Sequence, residues 1–195
     1  MELSYGQQAD PLLSAFDRVA NGNSHLLQAP ALDRSLSARF VHFARSRAFK
    51  RQLCQSDLDR GWANFQRYDQ RGELRPRAGG FYNGLPIRFA QSLTAAAFAD
   101  RLAELLNEGP CWYGNRLQPA QVAQIIDNFL LAFAVDDQVL EAETDFLFSH
   151  DYLGRHGGAP GNPRAICYFD GCGADHCFAW LSKGQLLVLL LNGTD

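Results

Sequence analysis

The chain has 195 residues, a net charge of −3 and an apolar fraction of 47%, with 12% aromatic residues. This composition supports a packed core and excludes a disordered chain, and the length fits one substantial domain or two small ones. No apolar run approaches the ~20 residues needed to cross a bilayer, and the first residues do not resemble a secretory signal, so we expect a cytoplasmic protein without membrane contact.

The first 75 residues are predicted to be mainly helical. Asp10-Pro11 is a typical helix entry, because proline is favoured in a first turn, and the break at residues 21–23 ends that helix. A second helix is predicted to begin near Asp33, a favourable N-cap residue. Its apolar face consists of Leu36, Phe40 and Phe43, and its basic face of Arg34, Arg39 and Arg45.

Residues 70–84 are rich in Gly, Pro and Arg and form the predicted boundary between two units. We therefore expect a helical region with a basic motif at 1–75. A second unit is expected at 76–195.

The second unit is predicted to begin with a strand at 85–90 and a helix capped by Ser92. A further helix begins at Pro119 and has a wide apolar face, and the alternation in 139–148 is typical of a strand or hairpin. This order of strand, helix, helix and strands is winged-helix-like.

The last 40 residues are predicted to form a β-meander after a loop at 154–163. Its strands are expected at 165–170, 176–181 and 185–191, joined by glycine-containing turns. The fold class is therefore α+β: an N-terminal helical region, a winged-helix-like middle unit and a C-terminal antiparallel β-meander.

The five cysteines are expected to be thiols, because a cytoplasmic protein rarely forms disulfides. Four potential zinc ligands lie within eleven residues: Cys167, Cys172, His176 and Cys177. Their spacing does not form two ligand pairs, and the neighbours His176 and Cys177 would point to opposite faces of a strand. We therefore expect no metal.

Residues 170–175 form a glycine-rich turn of the kind that binds S-adenosylmethionine in many methyltransferases. A nucleotide-type site needs a helix and further βα units after this turn, and only 20 residues follow it. A hairpin turn is the simpler explanation, and we expect no cofactor.

Cys111, His176 and Asn192 occur in the chain order of papain-like thiol enzymes, which makes a Cys–His enzyme the alternative function. Such enzymes place the cysteine at a helix N-terminus, where its pKa is lowered. The following helix is predicted to begin only near Pro119, so we expect Cys111 to lie in a loop and expect no enzyme activity.

Charge is distributed unevenly along the chain. Residues 34–77 contain eleven Lys and Arg against four acids, a net charge of +7, whereas residues 100–151 contain two against ten, a net charge of −8. Nucleic acid is not the expected partner, because the helix from Pro119, which would read bases in a winged helix, lacks Lys and Arg and carries Asp127. Electrostatic pairing of the basic segment with the acidic segment, within one chain or between two copies, is favoured over nucleic-acid binding.

The basic segment resembles the signature of the methyltransferase regulatory domain, a module that follows the catalytic domain of some bacterial methyltransferases. The matching residues are Phe43, Arg45, Arg47, Phe49, Arg51, Gln52 and Leu53. His42 and Ser46 stand where that family has Asp and Asn, and one residue fewer precedes the leucine pair. The middle unit is similar to the family's winged-helix-like part. Ala165, His176 and residues 189–195 align with its end, with Asn192 in place of Asp, so the resemblance covers residues 32–195.

The resemblance implies a regulatory or substrate-presenting protein-interaction module without catalytic residues. The expected partner is a separately encoded methyltransferase or its substrate, and a second copy of the chain is the alternative. The interaction residues are expected to be Arg39, Arg45, Arg47 and Arg51, either as a docking surface or as partners of the acidic segment.

Overall fold

The computed structural model of the chain describes residues 5–30, 33–109, 116–135, 138–158, 161–169, 171 and 174–193. These residues form helices and an antiparallel sheet, which confirms the α+β class. In chain order the elements are α1 (Tyr5–Ala20), β1 (His25–Pro30), α2 (Leu36–Ala44), α3 (Arg47–Asp59), β2 (Gln66–Tyr68), β3 (Leu74–Pro76), β4 (Phe89–Leu93), α4 (Ala95–Asn107), α5 (Pro119–Ala132), β5 (Val139–Ala142), a 3₁₀ helix (Asp145–Leu147), α6 (His150–Arg155), β6 (His176–Ser182) and β7 (Gln185–Leu191).

The main sheet has five antiparallel strands in the order β1-β7-β6-β5-β4, and β2 and β3 form a separate hairpin. The β6–β7 turn is as predicted. Ser182 and Gln185 are paired, so the loop has two residues, and both Lys183 (φ 48°) and Gly184 (φ 74°) adopt the positive φ that such a tight hairpin requires.

Helices cover both faces of the sheet. Strand β7 is buried on both sides, so it is a continuous apolar run rather than an alternating one. Leu187, Leu189 and Leu191 pack in the core formed with α1, α4 and α5. Leu186, Val188 and Leu190 pack in a second core with α2 and α3. The sheet therefore separates two hydrophobic cores.

The first 75 residues are not purely helical, because strand β1 follows α1 and strand β2 follows α3. The partner of β1 is β7, with His25 opposite Leu190 and Pro30 opposite Gln185. This pairing joins residues about 160 positions apart, so local sequence preference does not reveal it. Helix α1 also begins at Tyr5, which places Pro11 inside it rather than in the first turn.

Two predicted helix starts are displaced by two residues, and a further helix start was not predicted. Ser35 rather than Asp33 caps α2, and Ser46 starts a separate helix α3. Thr94 rather than Ser92 caps α4, because strand β4 extends to Leu93 in its pairing with β5. In each case a neighbouring hydroxyl group makes the same capping bond.

The C-terminal meander is shorter than predicted. Residues 165–169 form no strand, and Phe169 makes only an isolated bridge with Phe148. Strand β5 ends at Ala142, after which the chain turns into the 3₁₀ helix instead of a second strand. The observed C-terminal unit is therefore the β6–β7 hairpin within the larger sheet.

The order β4, α4, α5, β5 contains the predicted first strand and two helices but only one of the strands predicted after them, and the winged-helix-like character of this unit stays a prediction. The main sheet combines β1 from before residue 75 with four strands from after it, and α1 packs against α4 and α5. The division at residues 75 and 76 stays a prediction. In the described part of the chain, no helix combines the length and apolar character needed to cross a membrane.

Candidate protein-interaction surface

The corner between α2 and α3 carries the four arginines predicted to be interaction residues. The Oγ of Ser46 accepts a hydrogen bond from the N–H of Phe49 (3.2 Å), which starts α3 directly after α2. The apolar side of this corner is buried by Phe40, Phe43, Phe49 and Leu53. The corner also carries Arg39, Arg45, Arg47 and Arg51, which we call the arginine surface. Arg39 is half-buried and the other three are exposed.

No guanidinium of the arginine surface forms an ion pair with a carboxylate among the described residues. Arg45 instead lies over the ring of Tyr82, 4.9 Å from its centroid. The Nε of Arg39 is buried and makes no hydrogen bond within the described part of the chain. The positive charge of this surface is thus not neutralised by neighbouring carboxylates there.

The ion pairs that do form stay within local groups. In the basic segment they join Arg60 to Asp10 and Asp17, and Arg75 to Asp69 and Glu73. In the acidic segment they involve Arg88, Arg101 and His176 with Glu104, Glu141, Glu143 and Asp145. Among the described residues, none joins segment 34–77 to segment 100–151. Pairing between these segments in two different copies stays a prediction.

The thiol-enzyme candidates are only partly covered by the structure, since Cys111 lies outside the described residues. His176 begins β6, and its Nδ1 lies 3.5 Å from Oε1 of Glu141. The side-chain amide of Asn192 donates a hydrogen bond to the carbonyl of Tyr168 (2.6 Å). The structure thus gives each of these two side chains a local partner, and the thiol-enzyme alternative stays a prediction.

Sequence reasoning missed Glu141, which is buried at the centre of a polar cluster with His176, Gln91 and Arg101. Its Oε2 accepts a hydrogen bond from the Gln91 side chain (2.6 Å), and the Arg101 guanidinium lies 3.7 Å from Oε1. The hydrogen bond from His176, together with Gln91 and Arg101, holds the pKa of Glu141 below its usual range against the effect of burial. The sequence feature that points to Glu141 is a single carboxylate within the otherwise apolar strand β5.

The buried cysteines are poorly suited to nucleophilic or metal chemistry. Burial raises the pKa of the Cys177 thiol far above its usual range, and burial also raises that of Cys54. Cys177 faces the core with α2 and α3, whereas its neighbour His176 meets Glu141 on the other face. Of the proposed zinc ligands, Cys172 lies outside the described residues. Within the described residues, no three His, Cys, Asp or Glu side chains are placed to hold a metal ion.

A second polar cluster links α1, β1 and α3. The Nδ1 of buried His25 lies 2.8 Å from Oγ of Ser56, and the carboxylate of Asp57 accepts hydrogen bonds from the side chains of Asn23 (2.9 Å) and Asn64 (3.1 Å). Burial, assisted by the charge of Arg60, lowers the pKa of His25 to about 3. So low a pKa keeps His25 uncharged near neutral pH, and its contact with Ser56 joins β1 to α3.

This depressed pKa makes folding stability depend on pH. The unfolded chain, with a histidine pKa near 6.5, binds more protons than the folded chain between pH 6.5 and about 3. Stability from neutral His25 is therefore complete above pH 6.5 and is lost as the pH falls. Between pH 7 and pH 5 the free energy of unfolding of the wild type should fall by about 2 kcal/mol more than that of His25→Gln. Urea unfolding at the two pH values measures this difference.

Exposed His42 supplies the matched control, because His42→Gln should leave the wild-type pH dependence unchanged. Equal pH dependence in wild type and His25→Gln would show that His25 is not the group responsible.

A groove beside β1 was also missed, because residues 25–30 were expected within a helical region. It is bounded by α1, β1 and α3 and has a volume of about 810 Å³. This size is typical of ligand-binding pockets.

Comparison of the chain with protein-family models, with curated proteins and with solved structures finds no match.

Proposed function

We propose that the chain is a non-catalytic protein-interaction module that docks onto an acidic surface of its partner through the arginine surface. The observation that carries this proposal is the exposure of Arg45, Arg47 and Arg51 without ion-pair partners among the described residues. Guanidinium groups bind carboxylates through two parallel hydrogen bonds, so such a cluster favours a carboxylate-rich partner.

The rigid placement of the arginines supports a docking role. Arg39 lies on α2, Arg45 is its C-cap, and Arg47 and Arg51 lie on α3; the apolar residues of both helices are buried in one core, so the backbones of the arginines are held in place before a partner arrives. Binding then orders only the side chains, which lowers its entropic cost. An internal scaffold, in contrast, would pair these charges with carboxylates of the same chain.

The resemblance to the methyltransferase regulatory domain suggests the kind of partner. Phe43, Arg45, Arg47, Phe49 and Arg51 are among the residues that carry the resemblance, and they lie at this corner. We propose a separately encoded methyltransferase, or the protein that it modifies, as the partner.

Reversing two charges tests the docking role. The double variant Arg47→Glu/Arg51→Glu is expected to reduce partner recovery at least tenfold, because two attractive contacts become repulsive. The measurement is affinity purification of the tagged chain from its native cells with quantitative mass spectrometry. The thermal midpoint should stay within a few degrees, since both side chains are exposed.

The control is Arg155→Glu/Arg164→Glu, which makes the same charge change at two exposed sites outside the basic segment. Recovery should remain at the wild-type level. Unchanged recovery with the first variant, or equal loss with both, would overturn the docking surface. Unfolding of the first variant alone would instead favour an internal scaffold.

A further inference from the structure

Among the described residues strand β1 is an edge of the main sheet, and its open side lies in the groove between two helices. Helix α1 belongs to the core on one face of the sheet, and α3 belongs to the core on the other face. Three elements line the groove. Helix α1 contributes Gln7, Asp10 and Leu13, and strand β1 contributes Leu26, Leu27 and Gln28. Helix α3 and its C-cap contribute Gln52, Gln55, Ser56, Asp59 and Arg60.

The strand register identifies which backbone groups face the groove. Asn23 donates its N–H to the carbonyl of Asn192 (3.1 Å), so residues 23, 25, 27 and 29 bond to β7. The alternate residues, including Leu26 and Gln28, therefore direct their N–H and C=O groups away from β7. Among the described residues, the N–H and C=O of Leu26 and the C=O of Gln28 have no hydrogen-bond partner.

One side chain already imitates the missing neighbour strand. The Oε1 of Gln52 accepts the outward N–H of Gln28 (3.0 Å), as the carbonyl of a paired strand would do. Edge strands with unpaired backbone groups are ready templates for another extended chain. Because α1 and α3 form walls on both sides, the occupant must be a single strand without helices of its own, which excludes the sheet of a second copy.

The charge at one end of the groove selects the side chain of this occupant. Arg60 is shared between Asp10 (2.8 Å) and Asp17 (2.5 Å), and Asp59 lies in the same lining without an ion pair among the described residues. Asp10 is 58% exposed. Asp10 and Asp59 of the lining, together with largely buried Asp17, outnumber the single guanidinium of Arg60, so this end is net negative and suits a lysine or arginine side chain.

We propose that the groove binds an extended peptide segment bearing a cationic side chain, which pairs with β1 as a sixth strand. The backbone of the peptide supplies hydrogen bonds to Leu26 and Gln28, and its Lys or Arg lies beside Asp10 and Asp59. This site is separate from the arginine surface, so the two proposals can fail independently.

The probe is a displayed library of random ten-residue peptides selected on the full chain, followed by fluorescence anisotropy with the enriched sequences. We expect enriched peptides to contain Lys or Arg and to bind Leu26→Pro and Asp59→Lys at least tenfold more weakly than wild type. Leu26→Pro removes an outward N–H while keeping the ladder to β7. Gln52→Ala frees the N–H of Gln28, so its affinity should equal or exceed that of wild type.

Two controls separate this proposal from others. Asp127→Lys makes the same charge change on an exposed face of α5, and Arg47→Glu alters the arginine surface at a residue outside the groove lining; both should bind the peptide normally. Two further peptides are N-methylated, one at its odd-numbered and one at its even-numbered backbone nitrogens. Only one of these two peptides should lose binding, because alternate N–H groups of a strand face β1. This test holds even if Leu26→Pro fails to fold. Enrichment of no peptide, or equal tolerance of both methylation sets, would overturn the proposal.

Discussion

Replacing Trp180 by alanine is expected to lower the free energy of unfolding by about 3–5 kcal/mol. Trp180 lies in β6, is fully buried, and packs between α4 and α5, with ring centroids 5.7 Å from Phe98 and 5.9 Å from Phe129. Removing the indole leaves a cavity, and the packed elements β6, α4 and α5 cannot move far enough to fill it. Urea unfolding followed by circular dichroism measures the loss.

Two further variants isolate the cause. The Nε1 of Trp180 is buried without a hydrogen-bond partner in the described part of the chain, so Trp180→Phe removes an unpaired polar group and should cost far less than alanine. Leu131, on α5, is 82% exposed, and Leu131→Ala should change stability by less than about 0.5 kcal/mol. Equal losses for Trp180→Ala and Leu131→Ala would contradict this account of the core.

The parts of the fold that could be predicted are those governed by nearby residues. Helix α5 begins at Pro119 as its sequence indicates, since proline suits a first turn and the apolar residues recur at helical spacing. The β6–β7 hairpin depends on a two-residue turn with Gly184. The capping residues were displaced by two positions, because several Ser, Thr and Asp side chains near each helix start offer equivalent hydrogen bonds.

Strand β1 could not be predicted for a different reason. Its six residues, His25–Pro30, carry no clear alternation or β-branched residues, and its strand conformation is fixed by β7. The groove depends on this pairing and was therefore hidden with it. The arginine surface, in contrast, follows from helical periodicity, which places Phe40 and Phe43 inward and Arg45 outward within α2 and its C-cap.

The net charges of the two segments were a weaker guide than their local geometry. Net charge describes long-range attraction, whereas an ion pair needs side chains that the fold brings within a few ångströms. Arg60 pairs with α1 because the C-cap of α3 lies against that helix. Arg45, Arg47 and Arg51 are exposed, and none of the described carboxylates forms an ion pair with them.

Substituting Gly22 by alanine is expected to destabilise the fold by about 3 kcal/mol, at the upper end of the usual cost of overpacking. A Cβ at this position would lie 1.8 Å from the carbonyl oxygen of Asn192, which is a backbone atom. That oxygen accepts the N–H of Asn23, and the Asn192 side chain is itself bonded to the carbonyl of Tyr168 (2.6 Å). The clash therefore forces apart the junction where β1 leaves α1 and meets the end of β7. Urea unfolding of the variant measures the effect.

Gly154→Ala is the matched control, because a Cβ there meets open space and the residue lies in helix α6 without a positive φ. Alanine should leave stability unchanged or raise it by up to about 1 kcal/mol, through lower entropy of the unfolded chain. If Gly22→Ala unfolds at the same urea concentration as wild type, then the backbone contact with Asn192 does not hold β1 in place. Because β1 forms the floor of the groove, the same variant should also weaken binding of the selected peptides, whereas Gly154→Ala should not.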